Sequence, residues 1–323
     1  MPNAVPPEPG GGGPRRGRVT LGELAGQVLR RDLTAFLGQR QAILAEGDPA
    51  SVHDLRVTTR RLRAALDAFA DALPDQVVGL RPELGWLGSE LGVVRDLDVH
   101  LDGVLRWRRV LPAADGPGLA EVADLLVRER VGALRRLAGA LESERCAALV
   151  RELQAAAGPD DGPPGPAAQA DALRTVPARV EEAHRAARSV ARRARRRGSP
   201  RDFHRLRIRS KELRYTIELV TDLYPTTAPP AAAGVASIQG RLGRLQDDVA
   251  LGERFRALAV SERAGLSPGA LLAMGAVAER LRRRTGRRLR RMPARLGALH
   301  GRAWRALRAD MRRGSRDGSA GRS

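Results

Sequence analysis

The chain has 323 residues and carries 57 Lys+Arg against 37 Asp+Glu, a formal net charge of +20. That length accommodates one large domain or two of about 150 residues each, and a field of that sign selects polyanions: nucleic acid, polyphosphate or an acidic membrane surface. Aromatic residues are only 3% of the chain, which disfavours single-strand binding by serial base stacking, and the one cysteine, Cys146, excludes an intrachain disulfide framework or a Cys-based metal site.

The chain opens with a Pro/Gly-rich segment over residues 1–18, predicted as a disordered tail without the apolar core of a signal peptide. Residues 19–156 then read as one helical half, with elements predicted at Leu21–Leu44, Pro49–Ala72, Val77–Val110 and Leu119–Ala156. Residues 157–169, with GPDDGPPGPA at their heart, read as a linker. A second helical half follows over 170–313, with elements at Ala170–Arg197, Pro200–Leu223, Ala231–Val260 and Pro268–Arg312, the last breaking near Pro293. Residues 314–323 read as a second disordered tail. Val, Ile, Thr and aromatics are too few for a large sheet, so the fold class is all-α. No run of about 18 apolar residues occurs, so no membrane insertion is expected, and a cytoplasmic location is.

The two halves share a repeat. DPASVHDLRVTTRRLRAAL begins at Asp48 and SPRDFHRLRIRSKELRYTI at Ser199. An offset of 151 residues maps His53 to His204, Arg56 to Arg207, Arg60 to Lys211 and Arg63 to Arg214, and the same offset maps Leu91-Gly92 to Leu242-Gly243 and Asp96 to Asp247. Two blocks in one register argue for an internal duplication. Each repeated helix starts with a capping residue, Asp48 or Ser199, followed by proline at the first helical position.

At about 100° per residue, His53, Arg56, Arg60 and Arg63 share a stripe roughly 80° wide, opposite Leu55, Leu62, Leu66 and Phe69. His204, Arg207, Lys211 and Arg214 repeat the stripe opposite Leu206, Leu213, Ile217 and Val220. A solvated face normally mixes charge signs into i,i+4 pairs, whereas the first stripe holds no acid. The stripes are therefore read as anion-binding, with arginine forks suited to phosphate oxygens and a histidine donating at the head of each. The shared Gly92 and Gly243 suggest close helix–helix approach. Asp96 and Asp247 are candidate salt-bridge supports for stripe arginines; catalytic or metal carboxylates are the alternative reading. One His and one Asp per half among crowded arginines would repel a divalent cation, so no metal and no cofactor is expected. His100, His184 and His300 lack partners under the offset and read as surface or packing histidines.

The segments VHDLRVTTRRLRAAL and FHRLRIRSKELRYTI, followed by LGVVRDLDV and LGRLQDDVA, resemble the CHAD domain family over about residues 19–313. The second copy departs at Lys211 and Glu212, where the first has Arg60 and Arg61. The resemblance implies two four-helix bundles related by a pseudo-twofold axis, with basic residues lining a central groove. It implies binding of inorganic polyphosphate, with association to polyphosphate granules, by a stand-alone, non-catalytic module. Carried over by motif, the ligand residues are His53, Arg56, Arg60, Arg63, His204, Arg207, Lys211 and Arg214, with nucleic acid bound only weakly and non-specifically. The competing readings are a nucleic-acid-binding basic protein and a phosphohydrolase. The first lacks a recognition module and the second a metal cluster or nucleophile–base pair.

Overall fold

The computed structural model describes residues 19–158, 165–293 and 296–320. The predicted tail over 1–18 and the middle of the predicted linker lie outside the described residues. Every regular element among the described residues is helical; the one β-type pairing is an isolated bridge between Thr20 and Asp171.

The first half opens with α1 (Leu21–Glu46), started by a capping box in which Thr20 and Glu23 satisfy each other's backbone N–H. It stops at Gly47, whose φ of 63° is the left-handed conformation that favours glycine. Asp48 then caps α2 (Pro49–Ala68) by accepting from the Ser51 N–H. A single turn, α3 (Asp75–Val78), precedes α4 (Arg81–Arg108), followed by α5 (Gly116–Glu142) and α6 (Glu144–Ala156). The second half runs α7 (Ala172–Arg197), α8 (Pro200–Glu218), α9 (Ala228–Ala259), α10 (Pro268–Arg291) and α11 (Arg302–Ala320).

The 151-residue offset recurs in these elements. α1 and α7 begin and end at offset positions, and Gly198 ends α7 with a φ of 65° as Gly47 ends α1. Ser199 accepts from Asp202 N–H as Asp48 does from Ser51. At the junction, Leu21 N–H donates to Ala170 O at 2.8 Å and Ala172 N–H donates to Val19 O at 3.0 Å. These are reciprocal bonds between offset positions, the pattern that a twofold relation produces. Between the halves α1 packs on α7, α2 on α8, α4 on α9 and α5 on α10. The α5–α10 crossing is so close that a Cβ on Gly118 would stand 2.6 Å from the carbonyl oxygen of its own counterpart, Gly269. One hydrophobic core runs through both halves, from Leu21 to Met311.

Three predicted boundaries differ. Val77–Val110 is interrupted after α3. Leu119–Ala156 is cut at Ser143, whose extended backbone ends α5 and whose hydroxyl caps α6 by accepting from Cys146 N–H. The break expected near Pro293 is present: α10 ends at Arg291, a 3₁₀ turn at Gly297–His300 follows, and α11 begins at Arg302. α11 then continues to Ala320, past the point where a tail was expected from 314, and the Ser315 hydroxyl lies within donating distance of Met311 O and of Leu173 O on α7. The described end of the predicted linker is also tied down: Ala168 is buried, Gly22 N–H donates to its carbonyl, and Ala167 N–H donates to Asp71 O.

Candidate anion-binding cleft

The apolar faces of α2 and α8 settle the direction of their basic faces. Val52, Leu55, Leu62 and Leu66 of α2 are buried, as are Phe203, Leu206, Leu213 and Ile217 of α8. The opposite faces meet across the boundary between the halves, walled by α4 and α9. The result is a cleft of about 570 Å³.

Seven of the eight predicted ligand residues line it: His53, Arg56, Arg60, His204, Arg207, Lys211 and Arg214. The eighth, Arg63, is an exposed side chain lying over Gly85 of α4 and is not part of the lining. Arg63 sits at the end of its stripe, where α2 has run past the crossing with α8. Its offset counterpart Arg214 does reach the cleft, and it is ion-paired to Glu218 at 3.1 Å and stacked 5.0 Å over the buried Tyr215 ring.

The cations are crowded. The Lys211 ammonium is pushed down to about 7, first by burial and then by the charges of Arg60, Arg207, Arg56 and Arg214. Burial likewise lowers Arg60 and Arg207 from the ordinary arginine value. His53 is lowered by burial and by the charge of Arg95. Arg56 keeps a buried Nε with no hydrogen-bond partner among the described residues. His204 Nδ1 lies 3.2 Å from Gln246 Oε1, so its N–H donates to the amide oxygen.

Asp96 and Asp247 line the cleft but take part in no ion pair among the described residues. They act at longer range. Asp247 is the leading favourable charge on Arg207, and burial raises the Asp247 carboxyl against that attraction. The carboxylates that clamp arginines are buried elsewhere: Asp32 with Arg31 and Arg61, Asp98 with Arg130, and Asp248 with Arg284 and Arg288. Gly92 and Gly243 do not serve helix contact as expected. A Cβ on Gly92 would meet the Arg56 guanidinium at 3.6 Å, and a Cβ on Gly243 would meet nothing within 4 Å. These glycines leave room for side chains and for the cleft.

Sequence reasoning missed Arg95, Tyr215, Gln239 and Gln246, and set His100 aside although it lines the cleft. Arg95 and Gln246 are offset partners in the second repeated block, so the register already pointed to them. His184 is a packing histidine: it is buried, stacked 3.6 Å from Trp304, and its Nε2–H donates to Leu299 O at 2.7 Å.

Among the described residues no group of His, Cys, Asp and Glu is placed to hold a metal ion, and no helix is long and apolar enough to cross a membrane. Fold and cleft together define an all-helical protein with a cationic cleft between two similar halves. The sequence profile of the CHAD domain family matches residues 27–256, more than half of the chain, so the chain belongs to that family. It is similar to the crystal structure of the CHAD domain from the plant Ricinus communis, at 27% identity and a TM-score of 0.71, covering 88% of this chain and 93% of that one. PptA from Streptomyces chartreusis shares the fold, at 23% identity and a TM-score of 0.62, over 88% of this chain and 99% of that one. No curated protein sequence matches the chain.

Proposed function

We propose that this chain is a non-catalytic module that binds inorganic polyphosphate in the central cleft. The observation that carries the reading is the cluster around Lys211: four arginines from α2 and α8 face one half-buried ammonium. Like charges at this density cost folding free energy, and a phosphate-dense anion offsets that cost on binding. Six cationic side chains and two carboxylates line the cleft. A thin, unbranched chain fits a 570 Å³ cleft better than a duplex, whose phosphates lie on a wide helical surface. Cytoplasmic residence, attachment to polyphosphate granules and the absence of catalysis belong to the same proposal.

The deciding measurement is competition among polyphosphate, duplex DNA and RNA at equal phosphate concentration and about 0.15 M salt. Polyphosphate is expected to displace both nucleic acids. Ready displacement of polyphosphate by duplex DNA would favour the nucleic-acid reading. Release of phosphate from polyphosphate during long incubation would turn the assignment to a phosphohydrolase.

A further inference from the structure

The excess positive charge is not shared between the halves. Residues 19–156 hold 18 Lys+Arg against 20 Asp+Glu, whereas residues 170–313 hold 34 against 13. A coding preference for arginine acts on both halves alike and does not account for the difference. Nor does the central cleft, because both halves carry its stripe.

Part of the surplus gathers at one hollow on the second half. Between α9 and α10 a cavity of about 310 Å³ is lined by Arg241, Arg244, Arg284, Arg287, Arg288 and Arg291, together with Met292. At the positions 151 residues earlier the first half has one acid, Glu90, four apolar residues and a single arginine, Arg136. The fold therefore does not need arginines there.

Two of the six are held in place. The buried Asp248 carboxylate accepts from Arg284 Nε at 2.9 Å and also pairs with Arg288. Arg288 additionally donates to Arg244 O at 2.7 Å, and the Arg284 guanidinium lies 4.8 Å over the Trp107 ring. Guanidinium groups fixed in advance lose little freedom when a ligand arrives. Arg244, Arg287 and Arg291 are exposed and form no ion pair among the described residues. Asp248 thus holds two of the six guanidinium groups and leaves Arg244, Arg287 and Arg291 open to a ligand.

The geometry points to a second oxyanion site in this hollow, one that takes a short, phosphate-dense anion of the inorganic oligophosphate type. Planar guanidinium forks bond two oxygens at once and stay charged at any physiological pH. The lining contains no aromatic ring, so base–aromatic stacking adds nothing there for a nucleic acid. The site is separate from the central cleft, shares no lining residue with it, and does not rest on the reading of that cleft.

The test is calorimetric titration of the full chain with inorganic tripolyphosphate at about 0.15 M salt. Two binding events are expected. Replacing Arg244, Arg287 and Arg291 together with glutamine should weaken one event by about tenfold or more and leave the other within about twofold. Arg284 and Arg288 stay untouched, because their loss would strand the Asp248 carboxylate. A charge-matched control, with glutamine at Arg193, Arg196 and Arg197, should change each event by less than about threefold, and circular dichroism should match for all variants. Replacing Arg56 and Arg207 should remove the other event and spare this one. A failure confined to that variant sinks the central reading and leaves the hollow standing. The absence of any event that the hollow variant weakens, or equal losses in the hollow variant and the control, overturns the second site. Displacement of tripolyphosphate from the hollow by duplex DNA at equal phosphate concentration overturns the ligand class.

Discussion

Arg60 and Lys211 occupy equivalent positions in the two repeated helices, and the packing of α2 on α8 brings them together, so that Arg60 is the leading charge acting on the Lys211 ammonium. A residue and its own counterpart meet where a twofold axis would pass. Had both copies kept arginine, two groups charged at every accessible pH would face each other. The lysine gives the pair a release, because it sheds its proton near neutrality.

That release predicts proton uptake on binding. Lys211 sits at about 7 in the free protein, and a bound anion favours the charged form and raises it. Affinity for polyphosphate should be greatest below pH 7 and fall as pH rises above it, since binding must then recruit a proton. Calorimetry at pH 7.5 in buffers of different ionisation enthalpy should register uptake of a fraction of a proton. Lys211→Arg should abolish that uptake and flatten the affinity between about pH 7 and 9. An unchanged uptake in the variant would assign the proton to another group.

Position within the stripe should matter more than net charge. Glutamine at Arg56, Arg60, Arg207 and Arg214 removes four groups from the cleft, each worth about 1.5–3 kcal/mol in a charge-assisted bond. A loss of about a hundredfold or more in polyphosphate affinity is expected. Glutamine at Arg192, Arg193, Arg196 and Arg197 removes the same formal charge from the end of α7 and should cost less than about tenfold. Arg63→Gln alone should do almost nothing, because Arg63 lies outside the cleft. Equal losses from the two quadruple variants would mean that charge alone counts.

The helices, their caps and the stripe were legible because each depends on local rules. Proline after a capping residue, glycine at a helix end and 3.6-residue periodicity act within a few positions, and the 151-residue register multiplied each signal by two. Arg95 and Gln246 were missed because the side of α4 and α9 that faces the cleft is set by the packing between halves. The aspartates that clamp arginines were missed for the same reason. Asp96 and Asp247 share the register but make no ion pair among the described residues, whereas Asp98 and Asp248, with no counterparts under the offset, are buried clamps. The register reports what the halves share, and these clamps differ between them.

The contrast between the two kinds of aspartate is measurable in stability. Asp248 is 5% exposed and serves two arginines. Removing one partner of a buried pair leaves the others desolvated without compensation, and because the arginines are partly exposed the cost should be about 2–3 kcal/mol. Asp248→Asn should therefore lower the denaturation midpoint clearly, and Asp96→Asn should leave it within about 0.5 kcal/mol. Urea denaturation of the two variants separates them. Similar losses would return Asp96 to the clamping role read from the sequence.

Gly243 offers a test in which stability and binding move in opposite directions. It lies in the middle of α9, lines the cleft, and has open space where a Cβ would stand. Glycine inside a helix costs about 0.5–1 kcal/mol relative to alanine, because the unfolded chain is freer. Gly243→Leu should recover part of that and raise the melting temperature, while its side chain projects into the space where the polyphosphate chain would run. Affinity for polyphosphate should fall by about tenfold or more with no charge removed. Gly243→Ala, which adds one methyl group, should keep the gain in stability and most of the affinity. This pair separates a cleft that encloses its ligand from a surface that merely attracts one, since a non-specific field is blind to an added isobutyl group. Unchanged binding by the stabilised leucine variant would place the polyphosphate outside the cleft, whatever the arginine variants show.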